Sequence, residues 1–320
     1  MSDLIDVGII VSDEYSDEWH KCSGKLPVRM TNDYLFRALM QTNNRTLTRL
    51  ISAVLNRDLN DFRSVEVTNP IALGRSIGDK CFVLDVRVLL NNNSSIDLEM
   101  QVYRDKHWND RSLCYLCRMY DNLNIGEDYT DTKAALQINF LDFTLFEEYP
   151  EFFATYKLLN TKNGNCYSNK FIIYSIDMTR IDLATDEDKA IGLDIWARMF
   201  KARTWEELMD LARENTEIDD AISTVYRLIS NDLIREECFR RNEFINYTMN
   251  QNAKIENLTR ERDIFKEERD TFKEERDSTK QELDSTRQQL DESNEMIKML
   301  QRQLQTLQTE KAKNNNPELL

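Results

Sequence analysis

The sequence predicts an α/β core followed by helices and a long coiled-coil tail. Three observations carry this reading. The chain has 320 residues but only 7 Gly and 4 Pro, which favours long regular elements. Its first half mixes helical spacing with β-rich runs, and from Thr185 onward the spacing is helical. Between Ile255 and Leu307 a seven-residue period keeps a single register.

Each element follows from its local pattern. Residues 1–25 are expected to form a mobile acidic leader; their start, "MSDLIDVGIIVSDEYSDEWH", is acidic with a short apolar run and lacks a signal-peptide pattern. "TNDYLFRALM" and "RTLTRLISAVLN" space Leu35 and Leu39, then Leu47, Leu50, Ile51 and Val54, as two amphipathic helices. "FRSVEVTNP" is a short strand ending at a turn marked by Pro70. A hairpin follows over residues 81–105, then a helix from about Arg111 to Leu123. "AALQINFLDFTLF" reads as a buried strand, and "TYKLLNTKNGNCYSNKFIIYSIDM" as a second hairpin around an Asn/Gly turn. Thr204, three residues before Glu207, is a capping-box signature opening a helical hairpin that runs through Leu208, Leu211, Ile218, Ile222, Val225 and Ile229.

The hairpin "CFVLDVRVLLNNNSSIDLEMQVYRD" places acids inside apolar runs. Strand alternation puts Asp85 and Arg87 on one face of the first strand, and Asp97, Glu99 and Gln101 on one face of the second. A three-residue turn at Asn91–Asn93 sets Leu90 opposite Ser94, Arg87 opposite Asp97 and Asp85 opposite Glu99. The last pair brings two carboxylates to roughly 5 Å at the β-carbons. A divalent cation such as Mg²⁺ (or Mn²⁺), which prefers oxygen ligands, resolves that repulsion. The alternative is an outward face that is simply charged, with Arg87 and Asp97 as a cross-strand pair.

In the tail, heptad position a holds Ile255, Arg262, Arg269, Arg276, Leu283, Leu290, Ile297 and Leu304. Position d holds Leu258, Phe265, Phe272, Thr279, Thr286, Ser293, Leu300 and Leu307. Three Arg and three hydroxyl residues weaken the apolar seam. Glu261, Glu268, Glu275 and Glu282 at g face Lys266, Lys273, Lys280 and Arg287 at the following e, a ladder that bridges two chains in a parallel homodimer. A single solvated helix with i, i+4 pairs is the alternative.

Composition narrows the function classes. A net charge of −15 argues against bulk attraction to nucleic acid and leaves a local basic face or a metal-bridged phosphate. The six Cys, with only two His, make a zinc site at the lone Cys114-x-x-Cys117 less expected than buried thiols, reduced in a cytoplasmic compartment. No apolar segment approaches the roughly 20 residues that span a bilayer, so no membrane partner is expected.

Several stretches together resemble the recombination-promoting nuclease/transposase family of the PD-(D/E)XK nuclease superfamily. They are "TNDYLFRALM", "FVLDVRV…IDLEMQVYRD", "RSLCYLCRMYDNLNIGEDYTDTKAALQINFLDFTLF" and "WARMFKARTWEELMDLA", in the family's order over roughly residues 27–245. The resemblance implies a restriction-endonuclease-like core and metal-dependent cleavage of DNA in recombination or transposition. The expected organisation is then a nuclease-like core over 26–184 and a helical region packed on it over 185–250. A coiled coil over 251–311 and a disordered tail over 312–320 complete the chain.

By position, the resemblance implies that Asp85 and Glu99 hold the metal. Gln101 stands where the superfamily usually has Lys, a replacement common in this family, and Asp33 matches the acidic residue of the N-terminal helix as a support for the metal shell. Gln101 can orient the attacking water by hydrogen bonding but brings no positive charge. Arg111 supplies a cation if its helix packs beside the hairpin. The rival reading is a non-catalytic protein that uses a nuclease fold as a platform and works through its coiled coil. The acidic balance and Gln101 favour it, whereas the retained Asp85 and Glu99 favour the enzyme.

Overall fold

Helix α1 (Asp33–Thr42) starts where Asn32 caps it, its side-chain oxygen accepting from the Leu35 N–H at 2.9 Å. Helix α2 (Asn44–Leu55) follows at once, capped by Asn43 and stopped by Asn56 in the left-handed conformation. The computed structural model describes residues 18–314 apart from 72, 74–85, 92, 106, 122 and 124. The expectations for Asp85 and its pairing with Glu99, for residues 1–17 and for residues 315–320 fall outside these.

Six strands form one sheet in the order β1-β2-β3-β4-β6-β5. They are β1 (Val65–Val67), β2 (Val86–Leu90), β3 (Ser94–Gln101), β4 (Ala134–Leu141), β5 (Phe153–Leu159) and β6 (Cys166–Asp177). β1, β2 and β3 pair antiparallel, β3–β4 and β4–β6 parallel, and β5–β6 antiparallel. The β2–β3 register is the one the turn length predicts, with Leu90 opposite Ser94 and Arg87 opposite Asp97. Asn91 makes the turn at φ +50°, and its side-chain oxygen accepts from the N–H groups of Arg63 and Ser64, which ties the turn to the chain entering β1. Helix α3 (Trp108–Tyr120) is the crossover from β3 to β4 and begins three residues before the expected Arg111.

The sheet divides its two faces by chemistry. Val86, Val88, Ile96, Leu98, Ile138 and Phe140 join the apolar core with α1, α2 and α5 (Leu193–Lys201). Phe36, Phe140 and Phe200 meet there with ring centroids 5.2–5.8 Å apart, locking α1, β4 and α5 together. Short helix α4 (Asp186–Ala190) carries a complete capping box between Thr185 and Asp188. At α6 (Trp205–Glu214) the expected box is only half made. Thr204 accepts from the Glu207 N–H, but the Glu207 carboxylate reaches back to Arg203 N rather than to Thr204 N. Helix α7 (Thr216–Ser230) packs on α1, α2 and α6.

The leader expectation needs correction for residues 18–25. A 3₁₀ turn at Glu18–Lys21 buries Trp19 completely, its ring 6.5 Å from Trp205. Beyond it Gly24 N–H donates to Glu206, and Leu26 N–H to the Arg203 carbonyl. This segment is docked because a Trp finds an apolar slot beside α6, whatever the acidity around it.

Helix α8 (Asp232–Asn314) is continuous where the sequence suggests a helical region and then a coiled coil. The chain divides into two units, residues 1–247 and 248–320. In the first, α8 buries Ile234, Cys238 and Ile245. In the second, the apolar a and d side chains from Ile255 to Leu307 are exposed, and Arg262, Arg269 and Arg276 each bond the Asp that follows them. Among the described residues no helix is long and apolar enough to cross a membrane.

Trp19→Ala should cost about 3–5 kcal/mol, the range for emptying a buried aromatic site, read as a shift in the urea unfolding midpoint of the full chain. A shift below the noise would show that residues 18–25 are not docked in solution.

Candidate active site

The second sheet face is polar, and helix α3 covers it. Period-2 alternation along β3 turns Asp97, Glu99 and Gln101 to this face, and the parallel register extends it across the sheet. Asp97 lies beside Gln137, Glu99 beside Asn139, and Asn139 in turn beside Ser175 of β6. Gln137 and Asn139 are fully buried, and Asp97, Gln101 and Ser175 nearly so. A polar layer thus runs through the middle of the sheet.

Arg111, on the first turn of α3, answers that layer. Its Nη2 donates to Glu99 Oε1 at 2.9 Å and to Gln101 Oε1 at 3.2 Å, while Nη1 donates to Asp105 Oδ2 at 3.1 Å. The guanidinium also lies 4.7 Å from the ring centroid of Trp108, three residues earlier on α3. Gln101 is held from its other end as well, its Nε2 donating to the Tyr103 carbonyl at 2.8 Å. An amide carries two N–H groups and two lone pairs, so one of each remains for a water. The cation that Gln101 lacks therefore stands against it, supplied by a different element.

Asp33 has another partner. It is buried at the start of α1, where Arg241 of α8 donates to its Oδ2 at 2.6–2.7 Å. Burial pushes its carboxyl above the usual carboxylate range, opposed by the Arg241 hydrogen bond and charge, which pull it down. Burial, with Asp33 and Glu237 nearby, likewise pushes the Cys238 thiol up to about 12, so it is a packed rather than a reactive group. Cys114 and Cys117, expected to be buried, are exposed on α3. They fall on the helix face turned from the sheet, because Arg111 and Trp108 take the inner one.

Gln137 and Asn139 are hidden from sequence reasoning inside a run that reads as a buried strand, and Ser175 inside the run read as a second hairpin. Among the described protein atoms, neither amide atom of Gln137 or Asn139, nor Ser175 Oγ, has a hydrogen-bond partner. Buried polar groups left so are costly, on the order of 1–3 kcal/mol each, and mark places where water or a ligand completes the structure. The donors in this row are oxygen and amide groups around Glu99, the chemistry that Mg²⁺ and Mn²⁺ take with their waters. Among the described residues no three His, Cys, Asp or Glu side chains are grouped so as to hold a metal; Asp85 is not one of those residues. Two open cavities, of about 380 Å³ between α5 and α6 and about 390 Å³ beside α2, are lined by other residues.

A family model described as PD-(D/E)XK nuclease family transposase matches residues 30–257. No curated protein and no solved structure matches the chain.

Unequal stability effects are expected on the two sides of this layer. Arg111→Ala strips the shared donor from Glu99, Gln101 and Asp105 and should lower stability by about 1–3 kcal/mol, whereas Asn139→Leu removes an amide with no protein partner among the described atoms and should cost less. Paired urea melts check both. Equal losses in the two variants would show that Asn139 is as well satisfied as Glu99.

Proposed function

We propose that this chain, which belongs to the PD-(D/E)XK nuclease family transposases, is a divalent-metal-dependent DNA endonuclease acting in recombination or transposition. The observation that carries the reading is Arg111 clamped on Glu99 and Gln101 within a buried polar layer. A degenerate fold used only as a platform has no need to keep such a layer, which costs stability.

Asp85 and Glu99 are the residues to hold Mg²⁺ or Mn²⁺. When bound, such a cation polarises the phosphate and makes hydroxide accessible from its coordinated water near neutral pH. Arg111 supplies the fixed positive charge that a Lys at position 101 would bring, so it stabilises charge building on the phosphate oxygens. Gln101 orients Arg111 through its carbonyl and presents its remaining N–H to the attacking water. Asn139 and Ser175 extend the polar row that seats the surrounding waters. We assign Asp33 to fastening α8 on α1 through Arg241, since that pair already takes its carboxylate.

The tail serves as a parallel homodimer seam. Its exposed a and d residues need a cover, and in a parallel pair each Arg at a lies next to the partner's Glu at the preceding g. That compensates three cationic layers, which an antiparallel pairing, with g facing g, does not.

Purified protein is expected to nick plasmid DNA with Mg²⁺ or Mn²⁺ and not in EDTA. Asp85→Ala and Glu99→Ala should each abolish nicking, and Arg111→Ala should slow it by roughly 10²–10³-fold, as for loss of an electrostatic donor. Full activity in either carboxylate variant would sink the assignment.

Truncation after Lys254, or Leu290→Asp with Leu304→Asp, should convert a dimer to a monomer by light scattering. Exposed ion pairs are weak and screened by salt, so the dimer should persist at high salt through its apolar half. A full-length chain that is monomeric at tens of micromolar would identify the tail as a solvated single helix.

A further inference from the structure

The loops that follow the parallel strands bring two arginines onto one carboxylate. Arg104, three residues past Gln101, faces Glu147 Oε1 through Nη1 at 3.6 Å and directs Nη2 to the Leu145 carbonyl at 3.4 Å. Arg180, three residues past the end of β6, faces the other oxygen, Glu147 Oε2, through Nη2 at 3.5 Å. Its Nε donates to Thr144 Oγ1 at 3.0 Å, and that hydroxyl lies 3.3 Å from Thr179 Oγ1, which donates to Asp177 Oδ1 at 2.6 Å. Asp177 is in register with Leu141, itself in register with Gln101. Arg180 is therefore braced by the strands that carry the candidate site.

The two halves of this triad differ in strength. Charge-assisted N–H···O bonds run about 2.7–2.9 Å, so contacts of 3.5–3.6 Å to Glu147 are loose. All three side chains are also well exposed, between 39% and 60%, and exposed pairs contribute about 1 kcal/mol or less. Arg180 is braced from behind by Thr144, Arg104 only loosely by the Leu145 carbonyl, and the carboxylate between them is easily displaced. A phosphodiester offers the same two-oxygen geometry and takes Arg readily.

We propose that Arg104 and Arg180 form a clamp for the DNA backbone beside the candidate site, and that Glu147 fills it in the free protein in place of a phosphate. The proposal rests on the nuclease reading and names where that reading's substrate is held. Three residues of chain reach at most roughly 10 Å, so the phosphate that Arg104 takes is within a few nucleotides of the one at Gln101. A chain of net charge −15 gains no bulk attraction to DNA, so a few fixed cations must supply it.

The test is fluorescence anisotropy of the full chain with a labelled duplex of about 20 base pairs in EDTA, over a range of salt. Arg104→Gln with Arg180→Gln should weaken binding and lower the slope of log K against log salt by about 1, near one unit for the single phosphate that the pair holds. Glu147→Gln should tighten binding several-fold, an effect that damage to the fold does not produce. If the wild type binds and nicks while these variants match it in affinity and slope, the clamp is wrong and the nuclease reading stands. If no form binds duplex in EDTA, Glu147→Gln included, the clamp fails, and plasmid nicking with Mg²⁺ decides the nuclease reading separately.

Discussion

A polar face inside a β-sheet is stable only if something answers its charge, and here the answer is the guanidinium of Arg111. It joins β3 to α3 by bonding Glu99 and Gln101 from one helical turn, and Asp105 ties the same group to the loop between them. The position of α3 over the sheet depends on that bond set as much as on apolar packing. Only Trp108, Ser112 and Leu116 of α3 are buried, a thin apolar contact for thirteen residues. Polar contacts are directional, so a helix held in this way keeps its register over Glu99 where a greasy interface would tolerate sliding.

The opposite face offsets the cost. Phe36, Phe140 and Phe200 and the aliphatic residues of β2, β3 and β4 make a closed apolar core with α1, α2 and α5. Each large buried side chain contributes about 1.5–3 kcal/mol, while each unanswered amide or hydroxyl in the polar layer costs on the order of 1–3 kcal/mol. Stability and the candidate chemistry are thereby carried by the two sides of the same strands. Ile138 and Phe140 bury toward α1 and α5 while Asn139, between them in sequence, points the other way. One eight-residue strand serves both ends because its side-chain period is two.

Much of this is legible in the residues themselves. The β2–β3 register follows from turn length and alternation, because a one-residue slip would move every apolar residue to the wrong side. The placement of Glu99 and Gln101 on a common face follows for the same reason. What stays hidden is long-range. Nothing local shows which neighbour Gln137 and Asn139 meet inside a run that reads as a buried strand, and only the parallel pairing with β3 shows that they extend the Glu99 row. Helical spacing puts Arg111 on a helix, but its contact depends on where the crossover lands. Trp19 is lost among acids because hydropathy averages over a window, whereas docking needs one large side chain and one slot. The continuity of α8 escapes the sequence for a related reason: the change from buried to solvent-facing composition near residue 250 looks like a boundary, yet a helix needs no break where its environment changes.

The acidic balance of the chain then acquires a physical role. A strongly basic nuclease binds any DNA through its whole surface, and its contacts are dominated by counterion release. A chain at −15 repels DNA at long range, so productive association is confined to places where cations are fixed and close. Arg111 over Glu99 and Gln101, and Arg104 with Arg180 at the strand ends, are such places, and each is balanced by a carboxylate in the free protein. On the proposed clamp, Arg104 and Arg180 are available to a phosphate by exchange, carboxylate for phosphodiester. An exchange of this kind costs little net charge, favours ligands that present paired oxygens in the right plane, and discriminates against loosely held anions.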